Sequence, residues 1–326
     1  MSAVAAPENR QQPEEHHPTT DRAEAAEEGN KGFKKALLIL LGVWIGGIVV
    51  LAAAYGVKGV RNTEFQPQNE FKLGQWVNLG VFSINKAVMY LFIAAILTCV
   101  TMIWVARRMQ ARPNKIQTAV EMLYELMHDN IAGGNLDEKM TARWFPFIGT
   151  LFLFIMFSNL IGYIPLPTNT EHYIHVGPIS FPAFSLYAAT ANLSIPLVLA
   201  IMVFVSYTYE GIRAKGPIGY LKGLIPGGVT GGMAVFIFFL EVLSNLMRLM
   251  SLSIRLFANI LAGHLIILFM AGALAVILGI AALGWFTIPF GIALFAFEVG
   301  LVAALQAFIF ATLTAIYLGG AVAEDH

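Results

Sequence analysis

Long apolar runs separated by short polar breaks dominate this 326-residue chain. A helix that crosses a bilayer needs ~20 mostly apolar residues. Four runs have that length, at about 36–55, 87–106, 145–164 and 183–207. A fifth apolar block, 233–319, is far too long for one span. Gly279 and Gly284 lie in its weak middle and divide it into two long helices, about 233–277 and 285–319. The fold expected is therefore an all-α polytopic membrane protein with about six transmembrane helices. At ~1.5 Å per residue, a helix of about 40 residues is roughly 60 Å long, twice the hydrocarbon thickness. The last two helices must tilt strongly, bend or leave the membrane.

The polar segments add detail. Residues 1–32 are rich in Glu, Gln, Pro, Ala and Asn and nearly lack large apolar side chains, so they read as a disordered polar tail. The tail is too acidic for a mitochondrial transit peptide, and it puts too much polar chain before the first apolar run for an ordinary signal peptide. Residues 114–130 are amphipathic, with Ile116, Val120, Leu123, Tyr124 and Met127 on one face. That spacing predicts a helix lying on the membrane surface, with a soluble linker helix as the alternative. Lys31, Lys34, Lys35, Arg107, Arg108, Arg112, Lys115, Arg213, Lys215 and Lys222 fall in alternate loops. Placing those loops in the cytoplasm puts both termini inside and agrees with an even number of spans.

Composition supports the same class. The chain is 57% hydrophobic and 12% charged, with a mean hydropathy of +0.70, whereas soluble domains carry about 25% charged residues. Lipid is therefore its main solvent. A formal net charge of zero gives no reason to expect nucleic acid as a partner. The single cysteine, Cys99, can form neither an internal disulfide nor a thiolate metal site.

The chemistry lies in the polar residues inside the apolar helices. An ionisable group at that depth costs at least ~2.5 kcal/mol and usually marks an ion path. In the fifth helix these are Glu241, Arg248, Arg255 and His264, with Ser244, Asn245, Ser251 and Asn259. At about 100° per residue, Arg248, Glu241, Asn259, Asn245, Ser244 and Ser251 all fall within ~80° of Arg255. His264 falls near 180°, on the opposite face. The helix thus shows polar groups in two directions, as if two wet regions met it.

Arg255 is the sharpest feature, flanked by Leu252, Ile254, Leu256 and Phe257, with no acid within seven residues. A guanidinium keeps its proton, so it is a poor proton carrier and a good fixed charge. At low dielectric it favours the ionised form of an approaching carboxylic acid and repels a passing cation. The alternative is an arginine that snorkels or pairs with a neighbouring helix. Arg248 reads as a snorkelling side chain. Glu241 lines a water path or is a solvated helix-end carboxylate. His264 exchanges protons near neutral pH or simply bonds a backbone carbonyl. In the sixth helix, Glu298 and Gln306 are eight apart, about 80° around an α-helix, on one broad face. Asn159 and Asn192, in the third and fourth helices, line a polar path or bridge helices.

These residues carry a pattern. Ser253-Ile-Arg-Leu-Phe-Ala-Asn-Ile-Leu-Ala-Gly-His264 resembles the signature of subunit a of rotary (F-type) ATP synthases. Leu305-Gln-Ala-Phe-Ile-Phe-Ala-Thr-Leu-Thr-Ala-Ile-Tyr-Leu318 resembles that family's C-terminal helix. Asn159-Leu-Ile-Gly-Tyr-Ile-Pro165 and Thr190-Ala-Asn-Leu193 are similar to two shorter motifs. The resemblance covers about residues 75–320 and makes 57–326 a subunit a-like ion-translocating domain, with 33–56 an additional N-terminal transmembrane helix.

The resemblance implies a mechanism. Arg255 would face the essential carboxylate of a ring of small c proteolipid subunits and separate two half-channels. Glu241, Asn259, His264, Glu298, Gln306, Asn159, Asn192 and Ser251 would line the proton path. It implies a bacterial inner-membrane protein with no cofactor or metal. Its partners would be the c-ring, peripheral-stalk subunit b, the other synthase subunits and membrane lipid. The His264 and Glu298 pair is exchanged relative to many bacterial members, and favours protons over sodium. Glu298 stands eight residues before Gln306, where the family spacing is seven. Gly162 stands where some members have an acid.

Other classes fit less well. A secondary transporter or channel with an arginine anion site is the alternative, but no internal repeat is visible. A haem subunit needs paired axial histidines, and only His264 lies in a span. No Gly-rich Lys-Ser/Thr nucleotide loop occurs, so nucleotide chemistry would belong to other subunits.

Overall fold

The computed structural model describes residues 18–56, 75–79, 82–108, 115–176, 179–185, 187–225, 229, 231–270 and 274–323. Six helices among them are long and apolar enough to cross a membrane. They are α1 (Pro18–Tyr55), α2 (Lys86–Arg108), α4 (Glu138–Ile161), α5 (Ser194–Lys215), α7 (Gly232–Leu268) and a 42-residue final helix, Ala281–Val322. The final helix comprises α9 (Ala281–Phe297), a π-helical turn (Glu298–Val302) and α10 (Ala303–Val322). Shorter elements are α3 (Lys115–Glu125), α6 (Pro217–Gly223) and α8 (Leu274–Leu278). Outside the spans lie two antiparallel hairpins, β1 (Gln75–Leu79) with β2 (Phe82–Asn85) and β3 (Leu166–Val176) with β4 (Ile179–Ser185).

Several boundaries differ from those read in the sequence. The polar tail falls outside the described residues as far as residue 17, and from Pro18 the backbone is helical and runs unbroken into the first span. The third span starts at Glu138 because Asp137 caps it, its side chain accepting from the Met140 N–H at 3.2 Å. The fourth starts at Ser194, not near 183, because residues 179–185 pair as a strand. Asn192 Oδ1 accepts from the Ser194 N–H at 3.0 Å, and Pro196 sits in the first turn, where its missing N–H costs nothing. The long fifth helix ends at Leu268, and Gly279, at φ +68°, turns the chain into the sixth. A left-handed residue is cheapest as glycine. The amphipathic segment forms α3 and then a π-helical turn, Leu126–Ala132.

The core joins α4, α5, α7 and α10 through Ile148, Phe152, Ile155, Ala200, Val203, Leu256, Ile260, Phe310 and Ala311. Helix α1 packs against α9. The Trp44 indole N–H donates to the Trp285 carbonyl at 3.1 Å, and the Trp285 indole N–H donates to the Trp44 carbonyl at 2.9 Å. Trp44 also stacks on Phe286. Gly47 permits this approach, since a Cβ there would collide with the Trp285 ring.

Glu210, near the end of α5, is buried and accepts from Arg143 Nη1 of α4 at 2.9 Å, with Arg213 at 3.8 Å. Its Oε2 makes no hydrogen bond to the described residues. Removing one partner of a fully buried pair costs about 3–5 kcal/mol. Arg143 is half-exposed, so Arg143→Ala should cost less, about 2 kcal/mol. Thermal unfolding in detergent would show it as a lower midpoint. Adding Glu210→Gln should recover part of the loss, because the buried charge is then gone. A double variant no more stable than Arg143→Ala would show that the pair is not what holds these ends together.

Candidate functional site

Three polar groups are spaced along α7. Its buried residues, Leu252, Ser253, Leu256, Ile260, Gly263, His264 and Ile267, form one face against the rest of the chain. Arg255 lies beside that face and is partly exposed. Its Nη2 donates to Ser251 Oγ at 3.4 Å, one turn earlier. Among the described residues no carboxylate pairs with it. Asn259, one turn on, is exposed on the same side. Around Arg255 the stripe, with Ser251 and Asn259, is thus open at the surface, whereas its N-terminal part packs against this chain.

Towards the N-terminal end of α7, Glu241 Oε1 lies 3.7 Å from Arg248 Nη2. The guanidinium of Arg248 also stands over the Tyr317 ring at 5.8 Å, so it packs back onto the protein instead of extending freely. Asn245 donates to the Glu241 carbonyl at 3.0 Å and accepts from the Tyr207 hydroxyl at 3.3 Å. These side chains line a cavity of about 450 Å³ together with Lys215 and Tyr220.

Towards the other end, His264 and Glu298 meet through Tyr163. The Tyr163 hydroxyl donates to Glu298 Oε2 at 3.1 Å, and its ring stacks on the His264 imidazole at 4.6 Å. His264 Nδ1 lies 3.0 Å from the Ile260 carbonyl, and Nε2 lies 3.2 Å from the Gly162 carbonyl. A neutral imidazole donates to one of these and an imidazolium to both. Glu298 lies directly against Gly263, where a Cβ would overlap its carboxyl group. Gly162 is equally constrained, because a Cβ there would run into Ala188. An acid at position 162 would not fit this packing.

Asn159, fully buried, donates to the Ala303 carbonyl at 3.2 Å and accepts from Thr190 at 2.7 Å. It ties α4 to the final helix just beside the π turn. Asn192 stands apart, its side-chain oxygen accepting from the Ser194 N–H at the start of α5. Gln306 is buried on α10, next to Ala307 of the main core.

The π turn corrects the helical geometry read from the sequence. Eight α-helical residues would set Glu298 and Gln306 about 80° apart. An i→i+5 turn takes up one extra residue, here with the Ala303 N–H bonded to the Glu298 carbonyl. The pair is then separated as seven α-helical residues would be, about 20°. The buried positions agree, since Glu298, Ala303, Ala307, Phe310 and Thr314 form one stripe with a five-residue step only at the π turn.

Tyr163, Gly263 and Thr190 belong to this cluster without having been assigned a role from sequence. Tyr163 carried a usable signal, as a tyrosine at the end of an apolar helix, where a ring with a polar tip finds a hydrogen-bond partner.

The arrangement is that of an integral membrane protein with a partly exposed arginine on one long helix and a separate Tyr163–His264–Glu298 contact towards that helix's C-terminal end. The chain belongs to the ATP synthase A chain family, whose model matches residues 88–319. ATP synthase subunit a of Rubrobacter xylanophilus is 34% identical over 238 residues, covering 72% of this chain and 83% of the relative. That of Bradyrhizobium diazoefficiens is 31% identical over 273 residues, covering 81% of this chain and all of the relative. That of Myxococcus xanthus is 34% identical over 247 residues, covering 75% and 74%.

Proposed function

We propose that this chain translocates protons in a rotary ATP synthase of the bacterial inner membrane, through two offset half-channels that meet a rotating c-ring. Arg255 carries the reading. It is a permanent cation in an apolar helix, has no carboxylate partner among the described residues, and is partly exposed between the exposed Ser251 and Asn259. A carboxylate supplied by another subunit is the partner that such a site lacks.

The spacing along α7 supports two separate paths. At ~1.5 Å per residue, Glu241 lies about 21 Å before Arg255 and His264 about 14 Å after it. Together they span about 35 Å, close to a bilayer core of ~30 Å. The cavity beside Glu241 would open to the cytoplasm, and the Tyr163–His264–Glu298 cluster would serve the outer side. Arg255 between them blocks direct passage. A proton from one side binds a ring carboxylate, rides the ring and leaves by the other path. Asn259, Ser251 and Gln306 would shape the surface around Arg255, and Asn159 would hold the outer path in place. Nucleotide chemistry would lie on other subunits, and a peripheral-stalk subunit b would anchor this one.

Purification in mild detergent tests the proposal. An oligomeric ring of small proteolipids should accompany the chain. A stable, active complex without such a ring would overturn it in favour of a transporter.

A further inference from the structure

His264 and Glu298 do not bond to one another. Both imidazole nitrogens are directed at backbone carbonyls, of Ile260 and Gly162, while Glu298 Oε2 receives the Tyr163 hydroxyl. Tyr163 is the side chain that touches both, ring face on imidazole and hydroxyl on carboxyl. It is itself held tightly. It is 4% exposed, follows directly on the Gly162 backbone that packs against Ala188, and meets the edge of Phe295 at 5.8 Å. Its placement therefore comes from the α4 end and α9 together.

We infer that Tyr163 is a positioning residue for Glu298, holding the carboxyl group in one place through both its ionised and its protonated state. A phenol both donates and accepts. It can donate to the carboxylate and, once that group is protonated, accept from it, so the contact outlasts a change of charge. Gly263 completes the pocket by leaving room for the carboxyl group on the other side. Without the hydroxyl, Glu298 would have to find a new partner each time it took up or lost a proton. In a site from which water is largely excluded, that reorganisation slows transfer. Among the described residues, the titratable groups facing Tyr163 are Glu298 from the final helix and His264 from α7. Asn159 of α4 and Thr190 of the 3₁₀ turn Ala189–Ala191 are the neutral polar groups nearby.

The inference rests on the reading of Glu298 as a proton-path residue, and the test separates the two. The complete synthase, reconstituted in vesicles, would be compared as native, Tyr163→Phe and Glu298→Gln. Tyr163→Phe keeps the ring stacked on His264 and removes only the bond to Glu298. ATP-driven pumping should fall about tenfold, the worth of one hydrogen bond to a charged group, and its pH profile should move. The infrared C=O stretch of protonated Glu298, identified by its loss in Glu298→Gln, should shift in the same variant. An unchanged rate, pH profile and carboxyl band in Tyr163→Phe, with pumping lost in Glu298→Gln, would overturn the role of Tyr163 alone. Normal pumping in Glu298→Gln would overturn the proton-path reading beneath it. If Tyr163→Phe fails to assemble, 3-fluorotyrosine at position 163 keeps the shape and acidifies the hydroxyl. A pH profile that moves with it supports the inference, and one that does not refutes it.

Discussion

Arg255→Ala should abolish ATP-driven proton pumping while the complex still assembles. The side chain is partly exposed and makes one long hydrogen bond, to Ser251. Its loss therefore removes little packing. What it removes is the only positive charge between the Glu241 cavity and the His264 cluster on α7. Two consequences follow. In the mechanism proposed, a ring carboxylate would lose the cation that favours its ionised form, so it would not release its proton on passing. Protons would also meet no electrostatic barrier between the two paths, so passive leak through the membrane sector should rise. Arg255→Lys should restore little, because a compact ammonium lacks the planar fork and loses its proton more readily when buried. Pumping by the Arg255→Ala complex at the native rate would defeat the mechanism. An intact subunit profile on native gels is the control that separates lost function from lost assembly.

The six spans and the stripe around Arg255 were legible because both are patterns of composition. A span is a long apolar run, and a charge within one stands out against leucines and phenylalanines. That Arg255 and His264 lie on opposite sides of the helix follows from a period of 3.6 alone, and the structure adds that His264 is buried while Arg255 is partly exposed. The start of α5 is not legible because apolar residues before Ser194 are equally at home in a strand, and the bond from the Ser194 N–H to Asn192 depends on where the helix begins. Tyr163 and Gly263 became functional candidates only through contacts across 135 and 35 positions of chain, with Glu298. No local pattern encodes such a contact. The π turn was hidden for a further reason. The final helix is apolar all round, so its sequence has no periodic signal that a change from i→i+4 to i→i+5 could disturb.

Deleting Gly300 should leave coupled pumping largely intact, whereas inserting one alanine after it should abolish pumping. The π turn Glu298–Val302 holds one residue more than an α-helical path would, and with it Glu298 and Gln306 share a face. Removing one residue lets the turn become α-helical, and the pair keeps the same angular relation, seven residues apart. Gly300 is the residue to remove because it is exposed and even an added Cβ would touch nothing within 4 Å. An insertion has no such outlet. It rotates Glu298 by about 100° relative to Gln306, away from Tyr163 and Gly263, and leaves a carboxyl group facing apolar surroundings. Misplacing an acid at that depth costs about 2.5–3.5 kcal/mol, on the order of a hundredfold in rate. Equal tolerance of deletion and insertion would mean that the angle between Glu298 and Gln306 is immaterial. Loss of pumping in the deletion would mean that the π turn itself, and not the register it preserves, is what the proton path requires.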